Sequence, residues 1–343
     1  MTENQWKQLV KVVQGGIVKP VPSGFIIDSP WLPGWAGYSI MDYFASERIW
    51  LEANLKAIRN FPDAIFLPGF WSEYGMCTEP SAFGAKCVFH EKDLPFADKM
   101  VETPEQMTSL RKPDVKTDGL LPFTLRRLQH LRESIEKEGH LIKFAVARGP
   151  LNIASFLMGT TEFMIALKES PQESHSMLNT ITDFLCDWLR LQKESIPTID
   201  GIFLLDDLAG FLGEEDFAEF ASPYLKRSFN AFESSVRFFH NDAGGLVCAP
   251  HLPDIGVNLF NFSFQHGLNE MLEKTGGKVC LLGNLPPRDV LAGGNPEDVR
   301  KGVKAMFEGV DDKRMIIASC GGGMSQNTPT ENIKTFIDTV KSL

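Results

Sequence analysis

The chain has little of what marks a membrane, secreted or nucleic-acid-binding protein. No apolar run is long enough to cross a bilayer, and the opening Met1-Thr2-Glu3-Asn4-Gln5-Trp6-Lys7 lacks the basic start and apolar core of a secretory signal. The six cysteines, Cys77, Cys87, Cys186, Cys248, Cys280 and Cys320, have no framework-like spacing in 343 residues and read as reduced thiols. Lysine and arginine total 34 against 44 aspartates and glutamates, a net charge of −10, so no basic surplus is present to displace counterions from a nucleic acid. No Ser/Gly-rich linker or low-complexity run divides the sequence, and no repeat is visible beyond an alternation of strands and helices. These absences predict one cytoplasmic domain spanning residues 1–343, with no nucleic-acid and no membrane partner; oligomeric state is left open.

What is present is a set of eight short β-rich runs bounded by turn residues: Gly24–Asp28, Ala64–Pro68, Leu141–Arg148, Gly201–Asp207, Ser235–Asp242, Leu259–Ser263, Lys278–Asn284 and Arg314–Cys320. Continuous apolar stretches such as Ile202-Phe203-Leu204-Leu205 suit parallel strands covered on both faces. Helical periodicity fills the gaps at Ser46–Asn60, Pro122–Glu138, Ile153–Lys168, Glu173–Glu194, Glu215–Glu233, Pro296–Glu308 and Thr330–Leu343. The pattern predicts an α/β fold, a (β/α)8 TIM barrel with an N-terminal extension and a long insertion after strand 2. That insertion, Gly69–Leu121, far exceeds a usual strand-to-helix loop and is expected to cover part of the active rim.

Polar residues gather at the C-terminal ends of the runs: Asp28, Arg148, Asp206 and Asp207, His240 and Asp242, Ser263, Asn284 and Cys320. In a barrel those ends form one rim, where such folds keep their chemistry. An imidazole, a carboxylate and a thiol are groups that zinc prefers. If the ends of the fifth and eighth strands converge, His240, Asp242 and Cys320 make a three-ligand site with a fourth position open for substrate. A His and an Asp two apart on a strand face the same way, so a buried hydrogen-bonded couple is the bland alternative. Cys248 and His251 form a rival Cys-x-x-His pair in a proline-bearing segment.

Three runs carry a family resemblance: Arg148-Gly149-Pro150-Leu151-Asn152-Ile153-Ala154-Ser155-Phe156-Leu157-Met158-Gly159, then Gly283-Asn284-Leu285-Pro286-Pro287 with Val290-Leu291, and Cys320-Gly321-Gly322-Gly323 through Thr328-Pro329-Thr330-Glu331-Asn332. Together they resemble the uroporphyrinogen decarboxylase superfamily, and most nearly its corrinoid-dependent methyltransferase branch. In that branch a His-x-Cys pair after one strand and a Cys near the C-terminus hold zinc. His240 matches the His and Cys320 the distal Cys; Asp242 stands where the pattern has a Cys. The decarboxylase branch opens with an Arg-Gln-Ala-Gly-Arg loop, whereas this chain has Ser29-Pro30-Trp31-Leu32-Pro33-Gly34-Trp35-Ala36-Gly37. The resemblance implies a Zn2+-dependent transferase that moves a methyl group between a small molecule and a corrinoid (cobalamin) carried by a partner protein, since no corrinoid-binding domain is visible in this chain.

Replacing a thiolate by the carboxylate of Asp242 keeps the charge on the ion and hardens the donor set, leaving a stronger Lewis acid suited to an ether or alcohol oxygen. An O-methyl substrate, such as an aryl methyl ether, is therefore expected; thiol methylation and a decarboxylase-like lyase are the alternatives. Glu79, in a segment resembling the Glu-containing stretch of the methyltransferase branch, is expected as a fourth ligand or as proton donor to the leaving oxygen, against the reading of a solvated loop carboxylate. One of Asp206 and Asp207 is expected to face the mouth and orient ligands or substrate, and the other to cap Gly210–Gly213. Arg148, Asn284, Trp35, Trp71 and Tyr74 are the candidate substrate-binding residues, though aromatics in such loops more often simply pack. Gly321-Gly322-Gly323 lacks the Lys and Ser/Thr of a phosphate loop and is expected to let backbone approach a ligand closely.

Overall fold

The computed structural model describes residues 1–343 apart from Asp28 and Gly245, so the polar strand end expected at Asp28 lies outside the described residues. All eight runs become strands: β1 (Ser23–Ile26), β2 (Ala64–Leu67), β3 (Phe144–Arg148), β4 (Gly201–Leu205), β5 (Val236–Asn241), β6 (Leu259–Phe262), β7 (Cys280–Leu285) and β8 (Ile316–Cys320). They pair in parallel in the order β2-β1-β8-β7-β6-β5-β4-β3, the curled sheet of a (β/α)8 barrel. The expected ends Asp206, Asp207, Asp242 and Ser263 lie just past the last paired residues, which leaves their side chains on the rim.

Each strand buries both faces. Outward residues such as Phe239, Phe260 and Leu281 pack under the helices, and inward residues such as Phe144, Phe203, Phe238 and Leu282 fill the barrel. Phe203 and Phe238 stack with ring centroids 4.2 Å apart.

The N-terminal extension is a helix, α1 (Glu3–Val13), started by a reciprocal cap in which Thr2 Oγ1 accepts from the Gln5 amide and Gln5 Oε1 from the Thr2 amide. Its apolar face, Trp6, Leu9, Val12 and Val13, joins the interior cluster and closes the N-terminal end of the barrel. Trp6 meets Phe144 edge-on at 5.5 Å. Gln5 Nε2 donates to Ala64 O at the foot of β2 (3.1 Å), and the Leu141 amide donates to Met1 O ahead of β3 (2.8 Å). The extension thus spans the two strands that, among the described residues, do not pair with each other.

Two expected helices are interrupted. Ile153–Lys168 resolves into α2 (Pro150–Met158) and a second helix, Thr160–Glu169, set at 106° about Gly159. Within Glu215–Glu233 a π-helical turn, Phe217–Ala221, precedes Ser222–Phe229, because Pro223 has no amide to continue the regular ladder. The insertion also differs from expectation. Only its first part, from Gly69 to about Gly84, bends over the mouth. The rest makes a two-stranded ribbon (Cys87–Val88 with Phe96–Ala97) and a short helix, Pro104–Ser109, packed outside against the helix Pro171–Ser195.

Candidate metal centre

β5 turns Phe238, His240 and, one step beyond its end, Asp242 to the same inward side. Asp207, just past β4, reaches the same place. One donor atom from each of Asp207, His240 and Asp242 lies within 4.8 Å of the other two. His240 Nε2 is 3.4 Å from Asp207 Oδ1. Donors bound at about 2.1 Å to a tetrahedral ion stand roughly 3.4 Å apart, so this edge already has the span such an ion requires. Asp207 Oδ1 is buried with no hydrogen-bond partner. Burial raises the Asp242 carboxyl above its ordinary range; His240 opposes that shift and the Asp207 charge adds to it. Two carboxylates and an imidazole in a half-dry mouth fit a divalent cation, which would satisfy the orphaned oxygen and offset the like charges.

Cys320, expected as the third ligand, is not in this close trio; Asp207 takes that place. Alternation along β8 sends Ile317 and Ser319 inward, while Ala318 and Cys320 join the core under the helices. The thiol is nevertheless near the centre, with Sγ 3.3 Å from Gly322 O. A Cβ on Gly322 would come 2.6 Å from Asp242 Oδ2, and its φ of +131° is one that glycine adopts freely. The triple glycine therefore lets the chain after β8 pass against the metal-centre carboxylate.

Asp206 and Asp207 divide as alternation demands, and Asp207 is the one in the mouth. Asp206, a catalytic candidate from sequence, turns away: its carboxylate accepts from the amides of Leu151 (2.9 Å) and Asn152 (3.0 Å) at the start of α2. Gly149 makes room, since a Cβ there would sit 2.3 Å from Asp206 Oδ2. Burial pushes the Asp206 carboxyl up to about 8, with those amides opposing. The expected cap of Gly210–Gly213 is thus chiefly a cap of α2.

A second polar group stands at the end of β3. Arg148 and His240 are both in register with Leu205, so their side chains share the inward face, about 10 Å apart across two strand spacings. Arg148 Nη2 donates to Glu73 Oε2 (2.8 Å), and its guanidinium lies 5.1 Å above the Trp71 ring. Glu73 Oε1 also accepts from the Ser29 hydroxyl (2.9 Å). Glu79 Oε1 accepts from the Arg148 amide (3.1 Å), while Oε2 is buried without a partner. Burial raises the Glu79 carboxyl, against the Arg148 charge and the amide. It is not the solvated loop carboxylate of the bland reading. The insertion thus brings Trp71, Glu73 and Glu79 together with Arg148.

The other aromatics are engaged elsewhere. Trp35 stacks on Trp31 at 4.9 Å and donates from Nε1 to Thr330 Oγ1 (2.9 Å), with Lys56 over its ring. Tyr74 accepts from Arg127 Nη2 (3.2 Å) and packs on Phe44. Asn284 donates to the His266 carbonyl and so ties down the loop after β6. Of the rival pair, His251 Nε2 is 2.7 Å from Glu214 Oε1, and burial raises the Cys248 thiol. Neither joins a three-residue metal-binding cluster among the described residues. Sequence reasoning assigned no role to Asn261, which contacts His240, although a lone amide in the apolar run Leu259-Phe260-Asn261-Phe262 was the available signal.

A family model described as uroporphyrinogen decarboxylase (URO-D) matches residues 35–343. A curated uroporphyrinogen decarboxylase of Ruthia magnifica subsp. Calyptogena magnifica is 24% identical over 77% of this chain and 77% of its own. Among solved structures, a methyltransferase from Methanosarcina mazei superposes with a TM-score of 0.83 at 19% identity, covering 98% of this chain and 97% of that one. A B12-independent methionine synthase from Shewanella sp. W3-18-1 gives 0.57 at 11% identity, covering 94% and 96%. At these identities the structural likenesses establish the shared fold.

Proposed function

The chain belongs to the uroporphyrinogen decarboxylase family, and from that premise we propose that it is a zinc-dependent methyltransferase acting between a small O-methyl substrate and a corrinoid carried by a partner protein. The observation that carries the reading is the donor trio Asp207, His240 and Asp242 at the rim. A set of two carboxylates and an imidazole is harder than the His and two thiolates of the branch the sequence resembles, which favours oxygen over sulfur as the atom that gives up its methyl group. Zinc, when bound, supplies Lewis acidity toward that oxygen.

The remaining roles belong to side chains already in place. His240 Nε2 and the two carboxylates would hold the ion and leave its fourth position to the substrate oxygen, with Cys320, the ligand expected from sequence, as the donor that would fill that position in the substrate-free enzyme. Glu79, buried and with its carboxyl raised, is the candidate proton donor to the departing oxygen. Arg148, fixed by Glu73 and backed by Trp71, lines the mouth where the rest of the substrate lies. The names of the curated relatives favour a second reading, a metal-free decarboxylase.

The two readings separate on metal content and on cobalt. Protein prepared without chelator is expected to hold one zinc per chain, and single-turnover methyl transfer, followed by cobalt absorbance, to require an added corrinoid protein. Substitution of Co2+ is expected to show a thiolate charge-transfer band that Cys320→Ser removes; its absence from the parent would confine the ligands to Asp207, His240 and Asp242. Zinc-free protein that decarboxylates a porphyrinogen would overturn the proposal.

A further inference from the structure

Asn261 sits in the middle of β6, wholly buried, in register with His240 on β5 and Leu282 on β7. Its amide makes three contacts. Nδ2 donates to Leu282 O (2.7 Å) and to Cys320 O (3.1 Å), and Oδ1 lies 2.8 Å from His240 Nδ1. The nitrogen and oxygen of an amide are usually assigned from their surroundings, and here the surroundings leave one choice. Exchanging them would press a carbonyl oxygen against two others at 2.7 and 3.1 Å. With Oδ1 facing the imidazole, only a protonated Nδ1 completes the hydrogen bond. In the neutral imidazole that bond puts the proton on Nδ1 and leaves the Nε2 lone pair open toward Asp207 and Asp242.

We propose that Asn261 is the positioning residue of this centre: it fixes the His240 tautomer and, through the Cys320 carbonyl, ties the end of β8 to the imidazole. One amide thereby couples the strand end that carries His240 and Asp242 to the one that carries Cys320. Among the described residues, no other side chain hydrogen-bonds to all three of β5, β7 and β8. A tautomer chosen in advance matters because the alternative, with hydrogen on Nε2, presents no lone pair to the ion and must move its proton before it can bind one.

The claim about metal affinity rests on the zinc reading; the claim about the tautomer does not. Long-range proton–nitrogen NMR of nitrogen-15-histidine-labelled, metal-free protein at pH 8, with His240 assigned from His240→Gln, is expected to show hydrogen on Nδ1. Hydrogen on Nε2 in the parent overturns the proposal whether or not the protein binds metal. In Asn261→Leu, of similar size and with no polar atoms, the tautomer is expected to change, and zinc affinity by chelator competition to fall 10- to 100-fold. Asn261→Asp keeps the acceptor toward the imidazole but sets an oxygen against the Leu282 and Cys320 carbonyls, where it must bind a proton or shift, so it is expected to retain the tautomer while losing part of the affinity. Should Asn261→Leu fail to fold, the Asp variant carries the test: an Nε2 proton there refutes the positioning role. A folded Leu variant that binds zinc as tightly as the parent refutes the affinity claim. A parent that binds neither Zn2+ nor Co2+ refutes the zinc reading and leaves the tautomer result to stand or fall on the spectrum.

Discussion

The two ends of the barrel are built from the same eight strands and treated in opposite ways. At the floor, α1 lays Trp6, Leu9, Val12 and Val13 against Phe144, and its polar side chains are used: Gln5 on Ala64 O, and Glu3 with Lys143 at 3.2 Å. At the mouth, Ser72 Oγ, Glu79 Oε2, Asp207 Oδ1 and Ser319 Oγ are all buried without partners. Unmet hydrogen-bonding capacity in a buried site costs stability, and a fold that satisfies these groups at one end while sparing them at the other keeps the second end for a ligand. The contrast has one titratable exception near the floor, His140, whose Nδ1 is also unpartnered, as is Ser234 Oγ just ahead of β5.

Breaking the mouth should have the largest effect on metal and little on folding. His240→Ala removes the imidazole from the trio and is expected to abolish stoichiometric zinc, with methyl transfer falling at least 1,000-fold, about 4 kcal/mol of transition-state stabilisation. Metal analysis beside a melting curve of the metal-free protein checks both halves. Retention of one zinc in each of His240→Ala, Asp242→Ala and Asp207→Ala would remove the centre from the account. Breaking the floor should do the reverse. Trp6→Ala is expected to cost about 3–5 kcal/mol in denaturant unfolding, through lost burial and a cavity against Phe144, while the metal content of the folded fraction is unchanged.

The exception sharpens the comparison through pH. Burial lowers His140 from 6.5 to about 4, so below 6.5 the unfolded chain takes up a proton that the native state refuses. Stability is therefore lost as pH falls from 6.5 toward 4, by about 2–3 kcal/mol. Asp206, raised to about 8, gives the opposite slope, since the native state keeps its proton where the unfolded chain does not. Comparing parent with His140→Phe subtracts that contribution. The variant should lose less stability over this range, and identical pH profiles would show that the imidazole is not held neutral.

How much of this was legible depended on whether a residue's role was written along the chain or across it. All eight strands were, because parallel strands buried on both faces appear as continuous apolar runs. The pairing of His240 with Asp242 was, because period-2 alternation is a local rule. Asp207 was only half legible: alternation placed one of two adjacent aspartates in the mouth, but choosing between them needed the start of α2, where the Leu151 and Asn152 amides hold Asp206. Asn261 was missed because its partners lie on three other strands. The floor was missed as a floor, since nothing in Glu3–Val13 names what its apolar face will meet, although Thr2 and Gln5 did spell a helix start.

Trp35 and Trp71 extend the comparison to two aromatic side chains expected alike to line the substrate site. Trp71 belongs to the barrel's interior cluster, edge-on to Phe203 at 6.0 Å and beneath Arg148, whereas Trp35 is spent on Trp31, Thr330 and Lys56. Trp35→Phe keeps a ring for Trp31 and Lys56 and removes one hydrogen bond, so the expected cost is about 1 kcal/mol of stability. Zinc content and the rate of methyl transfer should stay within twofold of the parent. Trp71→Leu, which takes the aromatic face from under the Arg148 guanidinium, should slow transfer by more than that at unchanged zinc. A transfer rate that falls in Trp35→Phe and holds in Trp71→Leu would mean that the substrate enters from the side of Thr330, and the assignment of the mouth's aromatic wall would have to be reversed.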